Sequence, residues 1–339
     1  MTGALRILVV KLAALGDVVM ASTMLPALRE RWPTAHITWL CGKGIAPLVE
    51  CFEGVDEILT VDEKRLLTGT ASARLPVLVS AILRLAGQRF DLCLVAHADW
   101  RYRLVPLAVR CRTVRALSGR NGPIPGRWHG DEYRRLALGE DGAFCASARL
   151  ARLRADALNQ KGIPDGEPAQ VLLVPGGARN VMRDDNQRRW PVKYYRALAE
   201  TLLAQGMPVG LVGGSADLWT EKAFIDLCVT SYIGKTGIVE LLGLLSRARA
   251  CVTHDTGPMH LAYLVGTPTV ALFGPTLGVE KAPPFDHVRM LSATLPCAPC
   301  YDGRAYAPCP EPPCMRTLMP DTVLQTLHEL LHDEKVQAD

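Results

Sequence analysis

The chain has 339 residues, 49% hydrophobic and 21% charged, and its 38 lysines and arginines against 34 acidic residues leave a net charge of +4. That length is comfortable for two domains, and the composition is that of a soluble globular protein, not a disordered one. The small net charge and the lack of an aromatic-rich recognition motif argue against a nucleic-acid partner. No membrane-length apolar run and no signal-peptide arrangement occur, so a cytoplasmic location is expected.

Arg6-Ile-Leu-Val-Val10 reads as a short buried strand that leads straight into Lys11-Leu-Ala-Ala-Leu-Gly-Asp17. A helix is expected next, with Val18, Ala21, Leu25 and Leu28 on its inner face. Gly16 permits a tight backbone path, and Asp17 then stands at the carboxyl end of the first strand, where open α/β sheets place their ligands. Asp17 is a candidate general base, with a helix N-cap as the competing reading. Strand patterns at 37–40, 57–61 and 91–95 alternate with helical stretches, as in a Rossmann-like domain. From Arg101 to Arg154 there are twelve arginines and four acidic residues, with Arg101, Arg103, Arg110, Arg112 and Arg115 clustered. Either an anionic ligand or a solvated helix face accounts for so basic a stretch.

Breakers and charge at 160–168 mark a domain boundary, placed at 165. Strands are expected beyond it at 171–174, 209–212, 250–253 and 269–273, with helices at 194–204 and 239–246. Gly176-Gly177 follows the first of these strands and would let backbone approach a ligand, and Gly213-Gly-Ser-Ala-Asp217 follows the second. In Cys251-Val-Thr-His-Asp-Thr-Gly-Pro-Met-His260, Pro258 sits where a helix could begin. Unpaired N–H groups at that start would attract a phosphate, with Asp255, Thr256 and His260 adding side-chain contacts. The competing reading is an ordinary turn with Asp255 as N-cap and His260 in the core. The tail at 320–331 places Val323, Leu324, Leu327, Leu330 and Leu331 on one helical face.

Most of the eleven cysteines are scattered as small core residues are. Cys297, Cys300, Cys309 and Cys314 differ, since their C-x2-C-x8-C-x4-C spacing could hold zinc or an iron centre. Reduced thiols on a rigid, proline-rich loop, or a fortuitous disulfide formed after purification, are the alternative and the preferred reading.

Five motifs occur in order along nearly the whole chain: Lys11-Leu-Ala-Ala-Leu-Gly-Asp17, Arg188-Arg-Trp-Pro191, Asp255-Thr-Gly-Pro-Met-His260, Leu272-Phe-Gly-Pro-Thr276, and Cys297-Ala-Pro-Cys300 with Cys314-Met-Arg. Together they resemble glycosyltransferase family 9, the heptosyltransferases of lipopolysaccharide core assembly. The resemblance implies the α/β GT-B fold, with two Rossmann-like domains of mainly parallel sheets facing across a central cleft. These would span 1–165 for the acceptor and 166–318 for the nucleotide sugar, with a C-terminal helix at 319–339 packing back on the N-terminal domain.

It also implies inverting transfer of a heptose from ADP-heptose, with no cofactor required and no catalytic metal. Asp17 would take the proton from the acceptor hydroxyl, while Arg188 and the helix start near Thr256 and Gly257 receive the leaving diphosphate. Gly176, Gly177, Arg188, Ser215, Asp255, Thr256, Gly257 and His260 are the expected donor-binding residues. Arg188 stands where many members carry a lysine and Ser215 where some use a glutamate, so pyrophosphate geometry and nucleotide identity need not carry over. No Asp-x-Asp triplet is present.

Gly16, Arg101 and Arg103 are the candidate contacts for an anionic glycolipid acceptor such as Kdo-lipid A or heptosyl inner core. A transient contact with the inner face of the cytoplasmic membrane is expected with it. Two alternatives remain open: a transferase using another nucleotide sugar or acceptor, and a catalytically retired sugar-nucleotide-binding protein. A nicotinamide-dependent oxidoreductase or a P-loop NTPase fits poorly, because Gly-x-Gly-x-x-Gly opens neither half and Gly-x-x-x-x-Gly-Lys-Ser/Thr is missing.

Overall fold

Apolar runs without alternation, such as Ile7-Leu-Val-Val10, suit parallel strands buried on both faces, and these four residues are fully buried. The computed structural model describes residues 4–117, 122–139, 148–158, 170–178, 184–303, 305–309 and 311–338. It divides into two units, Met1–Arg154 and Ala155–Asp339. The boundary expected at 165 lies outside the described residues.

The first unit is a parallel sheet of β1 (Arg6–Val10), β2 (His36–Gly42), β3 (Glu57–Val61), β4 (Arg89–Val95) and β5 (Arg110–Ala116). Its order is β3-β2-β1-β4-β5, so the direction of winding reverses between β1 and β4. The helix expected after β1 is two, Leu15–Ala21 and Met24–Arg31, and Val18, Ala21, Leu25 and Leu28 are all buried as expected. Strand β5 was hidden in the arginine cluster. An edge strand pairs on one side only, and here Arg110, Arg112, Thr113 and Val114 are exposed, so no apolar run announces it.

The second unit is built the same way from β6 (Val171–Val174), β7 (Val209–Leu211), β8 (Thr230–Ser231), β9 (Ala250–His254), β10 (Thr269–Phe273) and β11 (Val288–Ser292). The order β11-β10-β9-β6-β7-β8 puts the reversal between β6 and β9. Strands β8 and β11 were not anticipated: the first has two residues and the second alternates at an edge. The final helix, Pro320–Ala338, sinks Val323, Leu327, Leu330 and Leu331 into the core of this unit, against the helix Val192–Ala204 and β9 to β11. The apolar stripe expected at 320–331 is thus buried within the second unit.

Candidate functional site

Open parallel sheets leave a crevice at the carboxyl ends of the strands where the winding reverses. In the first unit the turns at that point hold residues 11–17, after β1, and 96–99, after β4. His97 Nε2 accepts a hydrogen bond from the Leu12 amide at 2.9 Å, tying the two turns together. That bond leaves the ring proton on Nδ1. Burial, reinforced by Lys11, holds the His97 pKa well below 6.5, against the opposing pull of Asp17 and Asp99. The imidazole also stacks on Tyr102, with ring centroids 3.7 Å apart.

Lys11 is buried, with Nζ 3.2 Å from Asp17 Oδ2 and 5.4 Å from the centre of the Tyr133 ring. Asp17 lies in the first turn of Leu15–Ala21, whose N-cap is Ala14, so the N-cap reading of Asp17 is set aside. Its side chain keeps 39% of its surface exposed while Lys11 keeps 4%. The cation is thus fixed beneath a carboxylate that solvent can reach. Gly16 is buried in the same turn. Arg101 and Arg103 are exposed, and Arg101 pairs with Asp99, whose carboxylate also accepts from the Arg101 amide.

In the second unit four turns meet around the reversal. Asp255, directly after β9, is buried and pairs with Arg188 at 3.3 Å through Nη1. Arg188 Nη2 lies 3.1 Å from Asp185, and Thr276, after β10, donates to Asp255 Oδ2 at 2.9 Å. Burial pushes the Asp255 carboxyl up, but Arg188, His260, Lys281 and the Thr276 bond outweigh it and hold it below the usual range. Burial likewise works against the Arg188 charge, and Asp255, Tyr306 and Asp185 more than restore it. The Nε atom of Arg188 is buried without a hydrogen-bond partner among the described residues. A buried donor left open in this way can serve an anionic oxygen of a ligand.

Trp190 explains why Arg188 is held there. It is fully buried, donates from Nε1 to the Leu318 carbonyl at 2.7 Å, and packs edge-on against Tyr195 at 4.7 Å. The neighbouring Arg189 donates to the Gly177 carbonyl at 2.9 Å. Tyr195 in turn meets His254 Nδ1 at 3.0 Å, and burial first, then Arg188, pushes His254 down to about 3.

The two glycine turns are joined by Asp217. Its oxygens accept from the amides of Gly177, at 2.8 Å, and Gly214, at 2.9 Å. A side chain at Gly176 would meet Asp217 at 2.5 Å, and one at Gly177, where φ is +84°, would meet Thr256 Oγ1 at 2.5 Å. Glycine is therefore required here by protein neighbours, in addition to any approach of a ligand. Thr256 Oγ1 accepts from the Ala178 amide at 3.0 Å and joins the turn after β6 to the helix Gly257–Leu264. The N-cap of that helix is Thr256, which displaces the N-cap reading of Asp255. Gly257 is its first residue, so the opening N–H groups of the helix face this turn.

Gly176, Gly177, Arg188, Asp255, Thr256 and Gly257 thus come together. His260 is buried one turn along the helix, 2.5 Å from the Tyr263 hydroxyl. Ser215 is exposed at the start of Ser215–Phe224. Asp217, Thr276, Lys11 and His97 are not among the residues the sequence singles out. Thr276 and Lys11 lay inside quoted motifs, Asp217 two residues past Ser215, and His97 carried no signal beyond its place after β4.

The cysteine loop lies beside this cluster: Gln187 donates to the carbonyls of Ala307 and Cys309, and the Cys300 amide to that of Pro275. Burial pushes the Cys314 thiol up, the Met315 amide opposes this, and the other three cysteines add to the rise. Among the described residues no three or more His, Cys, Asp or Glu side chains are arranged to hold a metal ion.

Residues 151–309 match the family model for glycosyltransferase family 9 (heptosyltransferase). The chain is 28% identical to lipopolysaccharide heptosyltransferase 1 of Pseudomonas aeruginosa, over 96% of this chain and 98% of that protein. Its fold is similar to that of a family 9 glycosyl transferase from Veillonella parvula, with a TM-score of 0.78, 19% identity and 97% of each chain covered. The ADP-heptose lipopolysaccharide heptosyltransferase II of E. coli gives a TM-score of 0.73 at 20% identity, over 98% of this chain and 100% of that one. With two parallel, helix-covered sheets, these likenesses establish the GT-B fold class.

Proposed function

The chain belongs to glycosyltransferase family 9 and is a glycosyltransferase, and on that premise we propose that it moves a heptose from ADP-heptose onto a lipopolysaccharide inner-core acceptor. The observation that carries the donor half is the buried pairing of Arg188 with Asp255, beside the opening amides of Gly257–Leu264. The guanidinium and the helix start together form a positive environment for a diphosphate, and they neutralise it as the glycosidic bond breaks. No metal enters this reading. Asp255, held ionised, is suited to accept from sugar hydroxyls.

In the first unit Asp17 combines an ionised partner, Lys11, with exposure to solvent. It takes the proton of the acceptor hydroxyl as that oxygen attacks the anomeric carbon from the face opposite the nucleotide, which inverts the centre. The arginines from 101 to 115 give the same unit an affinity for phosphates and carboxylates, the charges of an anionic glycolipid.

Calorimetry with ADP, ADP-heptose, UDP and GDP tests the donor. Selective binding of ADP and ADP-heptose is expected. Preference for UDP or GDP would replace the donor, and the absence of any nucleotide binding would turn the reading toward a retired sugar-nucleotide-binding protein.

A further inference from the structure

The first unit carries an outward surface whose exposed apolar residues the glycosyl-transfer reading does not use. From Lys64 to Phe90 the sequence has five cationic residues and no carboxylate, and from 100 to 115 it has five arginines and again no carboxylate. The two stretches include two neighbouring elements, the helix Ala71–Leu85 and the 3-10 helix Trp100–Ala108, which pack on each other and on the same sheet, while Arg110, Arg112 and Arg115 lie on β5.

Each element has an inner and an outer apolar side. Ala81 and Leu85 of the first, and Tyr102, Val105 and Ala108 of the second, pack on the core around Leu12, Phe90 and Val95. On the outer side Val79 is 44% exposed, Leu83 69%, Leu104 52% and Leu107 79%. A 3-10 helix has three residues per turn, so Arg101, Leu104 and Leu107 stand in one row. Single exposed leucines are ordinary. Two adjoining helices that both turn apolar residues outward, with arginines and no carboxylate in either, are not. The bordering carboxylates are engaged: Asp91 accepts from the Arg6 amide and Asp99 from Arg101.

We propose that the outer side of Ala71–Leu85 and Trp100–Ala108 docks on an anionic lipid surface, with Val79, Leu83, Leu104 and Leu107 entering the headgroup boundary and the exposed Arg84 and Arg103 meeting lipid phosphates. Charge complementarity selects this occupant, because arginine reaches phosphate while its stem stays against apolar surface. Short amphipathic elements of this kind lie in the interface. No described helix is long and apolar enough to cross a membrane. The inference extends the reading of a lipid-borne acceptor, and vesicles free of that acceptor test it separately.

The full chain is sedimented with phosphatidylcholine vesicles, with and without phosphatidylglycerol, at low and high salt. Pelleting is expected only with phosphatidylglycerol, and it should weaken as salt rises. The L83Q/L107Q double variant should partition about tenfold more weakly. Its unfolding midpoint and its turnover of a water-soluble acceptor should stay as in the wild type, since both side chains point outward. In a separate L83W variant the indole emission should move to shorter wavelength on adding anionic vesicles. Equal pelleting with neutral vesicles, no pelleting at all, undiminished binding of the double variant or an unmoved L83W emission would each overturn the proposal. Nucleotide binding by calorimetry stands apart, so a failure here leaves the donor reading intact, and the reverse.

Discussion

Arg188 Nη1 lies 3.3 Å from Asp255 Oδ2, and this buried contact joins the turn ahead of Trp190 to the carboxyl end of β9. Neither residue is stable there alone. Removing only Arg188 leaves a carboxylate without its main counter-charge in a buried site, which costs about 3 kcal/mol.

A double-mutant cycle with Arg188→Gln and Asp255→Asn checks this by urea unfolding. Each single change should destabilise by about 2–3 kcal/mol and the pair by clearly less than their sum. ADP affinity should fall roughly tenfold or more in Arg188→Gln, since the cation for the diphosphate goes with it. Strict additivity would show that the contact contributes nothing.

His254 sets an acid limit on stability. Native His254 stays neutral down to about pH 3, whereas the unfolded imidazole takes up a proton near 6.5. Its contribution is therefore complete above pH 6.5 and is lost as pH falls from there toward 3, at about 1.4 kcal/mol per pH unit. His97, also held well below 6.5, acts with the same sign in the first unit. His254→Gln should reduce the acid slope of the unfolding midpoint without abolishing it. Asp255 acts lower: its carboxyl is depressed from 3.8, so its contribution is present above that value and is lost as pH falls through the native pKa. An unchanged slope between pH 6.5 and 4 in His254→Gln would contradict the assignment.

Asp17→Ala removes the proposed base and leaves the second unit untouched. Turnover should drop by about 100- to 10,000-fold, the usual range for a general base, while ADP affinity stays within about twofold. A rate equal to that of the wild type would remove Asp17 from the chemistry. The change should also lower stability measurably, because Lys11, with only 4% of its side chain exposed, loses this counter-charge.

The sequence by itself determined the repeated strand-and-helix order, the interior of both sheets and the turns that carry the candidate site. Runs such as Ile7 to Val10 and Val171 to Val174 can lie nowhere but inside, and a glycine or aspartate directly after such a run falls at the carboxyl end of a strand. Only the tertiary structure decided the rest. Edge strands β5 and β11 lack the apolar signal because they pair on one side. The final helix chose its partner by where its stripe could be buried most completely, which no local pattern states. Asp217 and His97 matter because parallel topology brings together turns far apart in the chain, so that a carboxylate after β7 accepts the Gly177 amide after β6 and an imidazole after β4 accepts the Leu12 amide after β1. Spacing along the sequence cannot encode such contacts, since they depend on strand order, and strand order is fixed only when the whole core closes.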